Sequence, residues 1–165
     1  MRKFEKISFE QFKKDVADDK ELYESIVLPT RSTKNSAGYD IRSMSSGVIA
    51  PGKSMVFETG LKVAMMADEV MYVYSRSSFG YKYDVCLTNC VGVIDSDFYN
   101  NPDNEGHFRV KLTNHGDKDF EVNIGDRIAQ GVFMKYLVVD DDDKQEKKTR
   151  VSGLGSTGKG DKNGK

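Results

Sequence analysis

Apolar and polar residues alternate in short runs along most of this chain, with turn residues between the runs. Leu61, Val63 and Met65 alternate with Lys62 and Ala64, which predicts a strand with one buried face. Residues 70–74 are almost continuously apolar and predict a strand covered on both faces. Phe108-Arg109-Val110-Lys111-Leu112 alternates again, and Arg127-Ile128-Ala129-Gln130-Gly131-Val132-Phe133 follows the turn that ends at Gly125. Ile26-Val27-Leu28 reads as a short strand stopped by Pro29, and Ala50-Pro51-Gly52-Lys53 as a turn. No long helical period appears between these runs. Short strands at regular spacing predict an all-β sandwich or barrel.

The two ends differ from this middle. In residues 1–25, Ser8-Phe9-Glu10-Gln11 fits a capping box, with Ser8 as N-cap and Gln11 at the third helical position. Phe9, Phe12, Val16, Leu22 and Ile26 form a broken amphipathic stripe, so this stretch predicts a short helical extension packed on the rest. A β domain over residues 26–137 follows. Residues 138–149 hold Asp140-Asp141-Asp142-Asp143 and several lysines and read as a solvated charged linker, because calcium ligands would alternate. Residues 150–165 are rich in Gly, Ser and Lys, too poor in apolar surface to pack alone, and predict an arm that is mobile when free.

The richest stretch for chemistry is 85–99, V-C-L-T-N-C-V-G-V-I-D-S-D-F-Y. Two apolar runs flank Thr88-Asn89, which predicts a tight hairpin whose turn offers backbone N–H and C=O groups. Asp95 follows Val93-Ile94 directly, and a carboxylate held there can orient and deprotonate a water. Standing alone, I-D-S-D would be an ordinary strand end capped in a turn. Upstream, Ser75-Arg76-Ser77-Ser78 closes a strand. An arginine among hydroxyls supplies forked and single donors that suit phosphate oxygens, though a solvated arginine before a serine turn would look the same. In Ala37-Gly38-Tyr39-Asp40 the small residues allow close backbone approach beside a carboxylate.

Composition narrows the classes. A chain of 165 residues predicts one domain with a sizeable core. The net charge of −1 gives no basic field for nucleic acid. No run reaches the length of a membrane span and no apolar leader opens the chain, so a cytoplasmic protein is expected. Cys86 and Cys90 predict buried, reduced thiols on one strand face. A structural zinc site would need four Cys or His ligands, and only His107 and His115 remain, so it is rejected. Residues 100–107, N-N-P-D-N-E-G-H, predict a surface loop.

Five short patterns occur in order: Ala37-Gly38-Tyr39-Asp40; Ser75-Arg76-Ser77-Ser78-Phe79-Gly80; the stretch 85–99; Gly125-Asp126-Arg127-Ile128-Ala129-Gln130; and Arg150-Val151-Ser152-Gly153-Leu154-Gly155-Ser156-Thr157-Gly158. Each is weak alone, but the ordered set, from about Leu28 to Gly158, resembles the trimeric dUTP pyrophosphatases (dUTPases), which hydrolyse dUTP to dUMP and pyrophosphate. The resemblance implies a distorted jelly roll, or β-clip barrel, and a homotrimer whose active sites are shared between chains. It implies Asp95 as the general base, with Arg76 and Ser77, helped by Ser78, gripping the phosphates and Gln130 as a phosphate-contacting amide. Uracil would be read by main-chain groups of the turn around Thr88 to Val93, with Ile94 beside it and Asn89 in support, and Phe98 or Tyr99 would stack on the sugar. Asp40 would hold a hydrated Mg2+ through water. Arg150, Gly155, Ser156 and Thr157 would meet the γ-phosphate, and Leu154 would cover the base as the arm closes.

Three positions depart from the usual pattern. Phe98 stands where tyrosine is common, Leu154 where phenylalanine is, and Arg150 lies one residue nearer that position than usual. Leucine can cover a base but cannot stack as an aromatic does, so weaker substrate retention is expected. Two other readings remain. A dCTP deaminase of the same fold would need a glutamate near the base, and residues 88–97 contain none. A nucleotide-dependent regulatory binding protein would draw on residues 1–25, 100–107 and 140–143.

Overall fold

The computed structural model describes residues 1–144, 146, 147, 150 and 153. Its strands are all antiparallel and fall into four small sheets. The largest runs β2 (Tyr39–Arg42), β11 (Arg127–Lys135), β6 (Glu69–Ser75), β8 (Gly92–Asp95). A second runs β4 (Ser54–Glu58), β9 (Arg109–Asn114), β7 (Val85–Leu87). Two pairs complete it: β1 (Lys3–Lys6) with β5 (Leu61–Ala64), and β3 (Gly47–Ile49) with β10 (Phe120–Val122). The result is all-β and jelly-roll-like, as expected. Among the described residues the sheets do not close into one continuous barrel.

Alternation explains the core. Leu61 and Val63 of β5, Met71 and Val73 of β6, and Val110 and Leu112 of β9 all point inward and are buried with Phe57, Ile41 and Ile128. Half-buried Tyr72 and Tyr74 show that β6 is covered less fully on its second face than its apolar run predicts. No described helix is long and apolar enough to cross a membrane.

Residues 1–25 form more than a helix. The Ser8 hydroxyl accepts from the Gln11 N–H and caps α1 (Phe9–Asp15), as the capping box predicts. A second short helix, α2 (Lys20–Glu24), is capped by Asp19. The stretch opens, however, with strand β1, whose alternation is too short to stand out in a charged sequence. Phe12 is fully buried in the common core, and Ile26 packs against Gly60, where an added Cβ would lie 2.8 Å from its Cδ1. Residues 26–28 form no strand, and Val27 and Leu28 are exposed.

Loop 100–107 is not a loose surface insertion. Asn101 is buried, its amide donating to the Phe98 carbonyl and its carbonyl oxygen accepting from the Asp103 and Asn104 N–H groups. Glu105 accepts from the Ser8 N–H and hydroxyl and pairs with Lys62. His107 is fully buried. Its Nε2 accepts from the Gly60 N–H at 3.0 Å, so its proton sits on Nδ1 and is donated to Asp15 at 2.7 Å. Burial holds His107 below the usual imidazole range, against the pull of Asp15. Asp15 in turn, which burial alone would push up, is held below the usual carboxylate range by its bonds from His107 and Gln11. Arg109 bridges Glu58 and Asp15. The loop is therefore a joint that binds α1 to β4 and β9.

Candidate active site

The expected hairpin at 85–95 is not one. β7 pairs with β9 in register Leu87↔Leu112, while β8 pairs with β6 in register Met71↔Ile94. The two arms belong to different sheets, and residues 88–91 cross between them. The apolar runs are legible locally, but their partners are distant in sequence, and a two-residue turn signal cannot specify them. The crossing is tight. Cys90 adopts φ 62° in the left-handed region, its N–H donates to the Leu87 carbonyl, and the Val91 N–H donates to the Asn89 carbonyl at 2.6 Å. Cys90 is thus exposed in a turn and Cys86 half-buried, not two buried thiols on one strand face; both are free.

A cavity of about 590 Å³ opens beside this crossing. Asn89, Gly92, Val93, Ile94, Asp95 and Phe98 line it, together with Asp103, Asn104 and Arg109. Its size suits a nucleoside-sized ligand. Among its described lining residues the acids are Asp95 and Asp103, with no glutamate. Of the two aromatic candidates, Phe98 lines the cavity. Tyr99 turns away to hydrogen-bond Glu5 of β1, with the Lys62 ammonium over its ring. Tyr99 is spent on the fold, so of the two rings Phe98 is the one that lines the cavity.

Asp95 ends β8 with its side chain about half exposed, less enclosed than its apolar neighbours suggest, because only Ile94 turns into the core. Arg150 reaches it from beyond the linker: Nη2 lies 2.5 Å from Asp95 Oδ2, and Nε 2.7 Å from Asp97 Oδ1. The guanidinium also lies 6.0 Å over the Phe98 ring, and a Cβ on Gly153 would meet that ring at 2.8 Å. So Arg150, expected at a γ-phosphate, here bridges the two carboxylates of I-D-S-D. Leu154, Gly155, Ser156 and Thr157 lie outside the described residues.

The remaining candidates gather elsewhere. Arg76 leaves β6 as the N-cap residue of α3 (Ser77–Tyr83), so Ser77 and Ser78 begin a helix, not the turn their hydroxyls suggest. Arg76 Nη1 donates to the Arg127 carbonyl at 3.2 Å. Gln130 Nε2 donates to the Ser75 carbonyl at 3.0 Å and lies directly across from Asp40 in the β11–β2 ladder. Gly38 is needed beside them, since an added Cβ would sit 2.4 Å from Gln130 Oε1. Asp40 Oδ2 accepts from the Ser32 hydroxyl at 2.7 Å and from Arg127 at 3.0 Å. Burial pushes the Asp40 carboxyl up, but Ser32, Arg127 and the nearby Arg76 hold it below the usual carboxylate range. Among the described residues no three His, Cys, Asp or Glu side chains form a metal cage.

Sequence reasoning missed Ser32, Arg127 and the pairing of Arg150 with Asp97. Arg127 was visible inside Gly-Asp-Arg-Ile-Ala-Gln, but nothing in that string says which carboxylate it meets.

The architecture puts this chain among jelly-roll-like β proteins with a nucleoside-sized pocket beside a strand-end carboxylate. The family model for dUTPase matches residues 24–158. A deoxyuridine 5′-triphosphate nucleotidohydrolase of Lactococcus lactis is 50% identical over 133 residues, which cover 81% of this chain and 89% of the relative. One from Arabidopsis thaliana is 39% identical over 143 residues, covering 84% and 81%. The crystal structure of a dUTPase from Streptococcus mutans superposes with a TM-score of 0.70 at 38% identity, covering 84% of this chain and 98% of that one. The chain belongs to the dUTPase family.

Proposed function

We propose that this protein is a dUTP diphosphatase, hydrolysing dUTP to dUMP and pyrophosphate. The observation that carries the reading is Asp95, a carboxylate that lines a nucleoside-sized cavity together with Thr88, Asn89 and residues 92–94. Uracil presents an N–H between two carbonyls, which strand-end backbone groups can complement; cytosine presents an amino group in place of one carbonyl. Phe98 packs against the deoxyribose and leaves no room for a 2′-hydroxyl. Asp95 accepts a proton from a water aimed at the α-phosphorus, and Arg76 offsets charge on the departing pyrophosphate. The absence of glutamate from the described cavity lining disfavours base deamination.

Asp40 suits a hydrated magnesium ion held through water. It is a single carboxylate whose described hydrogen bonds both fall on Oδ2, and Mg2+ keeps most of its waters. When bound, Mg2+ would neutralise triphosphate charge.

The working unit is a homotrimer. Asp95 lies opposite Val70 on β6, whereas Arg76 follows Ser75 at that strand's other end, roughly 17–20 Å along it. Within one chain they flank different places, so one triphosphate meeting both calls for two chains. The exposed apolar run Leu137, Val138 and Val139 after β11 offers surface for a neighbour. A cytoplasmic location suits this substrate. Pyrophosphate release from dUTP, dCTP, dTTP and UTP with magnesium tests the reading: dUTP should be cleaved and the others left nearly whole.

A further inference from the structure

Arg127 joins the Arg76–Gln130–Asp40 cluster through both its side chain and its backbone. Arg127 begins β11, where the ladder with β2 slips: Arg127 lies across from Arg42, but Ala129, not Ile128, lies across from Ile41. The extra residue makes a β-bulge, with Ile128 and Ala129 both fully buried in succession. Without the bulge, Ala129 would fall across from Asp40. With it, Gln130 does, and directly opposed residues share a face. The bulge thus brings the amide and the carboxylate to one surface.

Arg127 ties this surface to Arg76 with both its ends. Its guanidinium donates to Asp40 Oδ2 at 3.0 Å, and its own carbonyl accepts from Arg76 Nη1 at 3.2 Å. The Ser32 hydroxyl donates to the same Asp40 oxygen. Arg42, Arg127's partner across the ladder, is itself fixed by donating to the Gly125 carbonyl at 2.6 Å. A planar guanidinium anchored this way fixes a carboxylate's direction better than a point charge on a flexible stem.

We propose that Arg127 is a positioning residue that couples the metal-facing carboxylate Asp40 to the phosphate-gripping Arg76, so that both sides of the triphosphate site are set by one bulged strand. The proposal rests on the dUTP diphosphatase reading. Arg127 itself need not touch substrate. Its side chain acts by holding Asp40 where a magnesium-bound water can reach it, while its backbone carbonyl, which either variant keeps, accepts from Arg76. Its effect should therefore appear in the magnesium-dependent part of triphosphate binding and not in binding of the nucleoside monophosphate.

The test uses the full chain and two variants, Arg127→Gln and Arg127→Lys, in titration calorimetry. The ligands are dUMP and a non-hydrolysable imido analogue of dUTP, the latter with Mg2+ and with EDTA. In the wild type, Mg2+ should tighten analogue binding. Arg127→Gln should lose at least tenfold of that tightening while its dUMP affinity stays within twofold, and Arg127→Lys should recover part of the loss. Retention of the full magnesium increment in Arg127→Gln overturns the proposal. An equal loss of dUMP affinity also overturns it, because Arg127 would then only support the fold. If the wild type binds neither ligand, the functional reading itself fails, and the proposal falls with it.

Discussion

Two contacts in this molecule look alike on paper and behave as opposites. Asp95–Arg150 joins residues 55 apart at 2.5 Å, and Asp15–His107 joins residues 92 apart at 2.7 Å. The first lines the cavity with Asp95 half exposed; the second is fully buried on its histidine side. Water screens the first, and charges that water can reach hold each other weakly. The second is shut away, so loss of either partner strands a buried polar group. Similar geometry therefore makes a fastening in one place and a releasable latch in the other. The latch holds the carboxylate proposed as the general base, and the fastening ties the N-terminal segment to the loop before β9.

That contrast can be broken by measurement. The largest effect should be on rate: Asp95→Asn should lower kcat by about 10²–10⁴-fold, the range of a lost general base, with analogue affinity within a few-fold. Full activity in Asp95→Asn would remove the residue from the role. Next, His107→Ala should destabilise the protein by about 2–4 kcal/mol, read from denaturant unfolding, since Asp15 and the Gly60 N–H both lose a buried partner. A change below about 0.5 kcal/mol would make the joint no stronger than a surface pair.

The fastening also has a pH signature. His107 has a folded pKa below its ordinary 6.5, so as pH falls through 6.5 the unfolded chain takes up the proton first and stability declines. Asp15 has a folded pKa below its ordinary 3.8, so its contribution is present above 3.8 and is lost as pH falls through the folded value. Unfolding curves from pH 8 to 3 should show both limbs, and His107→Gln should lack the upper one. For the latch, Arg150→Ala should change stability by less than about 1 kcal/mol yet alter KM for dUTP. The smallest effect is expected from Leu154→Phe, which should lower KM by a few-fold through ring stacking on the base; an unchanged or higher KM would refute the stacking.

The candidate site residues came from the ordered motifs and not from any one of them, whereas most core strands and the helix cap at Ser8 were legible because each rests on local chemistry, alternation or an N-cap hydroxyl. Pairing was not. The arms at 85–87 and 92–95 look like neighbours in sequence and lie in different sheets, because β9 and β6 offer ladders that the short turn does not. Loop 100–107 looks like a polar insertion, since nothing local says that Asn101 and His107 are buried or that Glu105 meets Ser8. The bulge at Arg127 is invisible for the same reason, as Ile-Ala reads equally well in a regular strand.

The crossing at 88–91 has one more consequence. Because it spans two sheets, a base hydrogen-bonded to it would act as a rivet through both layers. Occupancy should then slow amide exchange in β7 and β9 as well as in β8, so that substrate tightens the body of the protein as well as its rim.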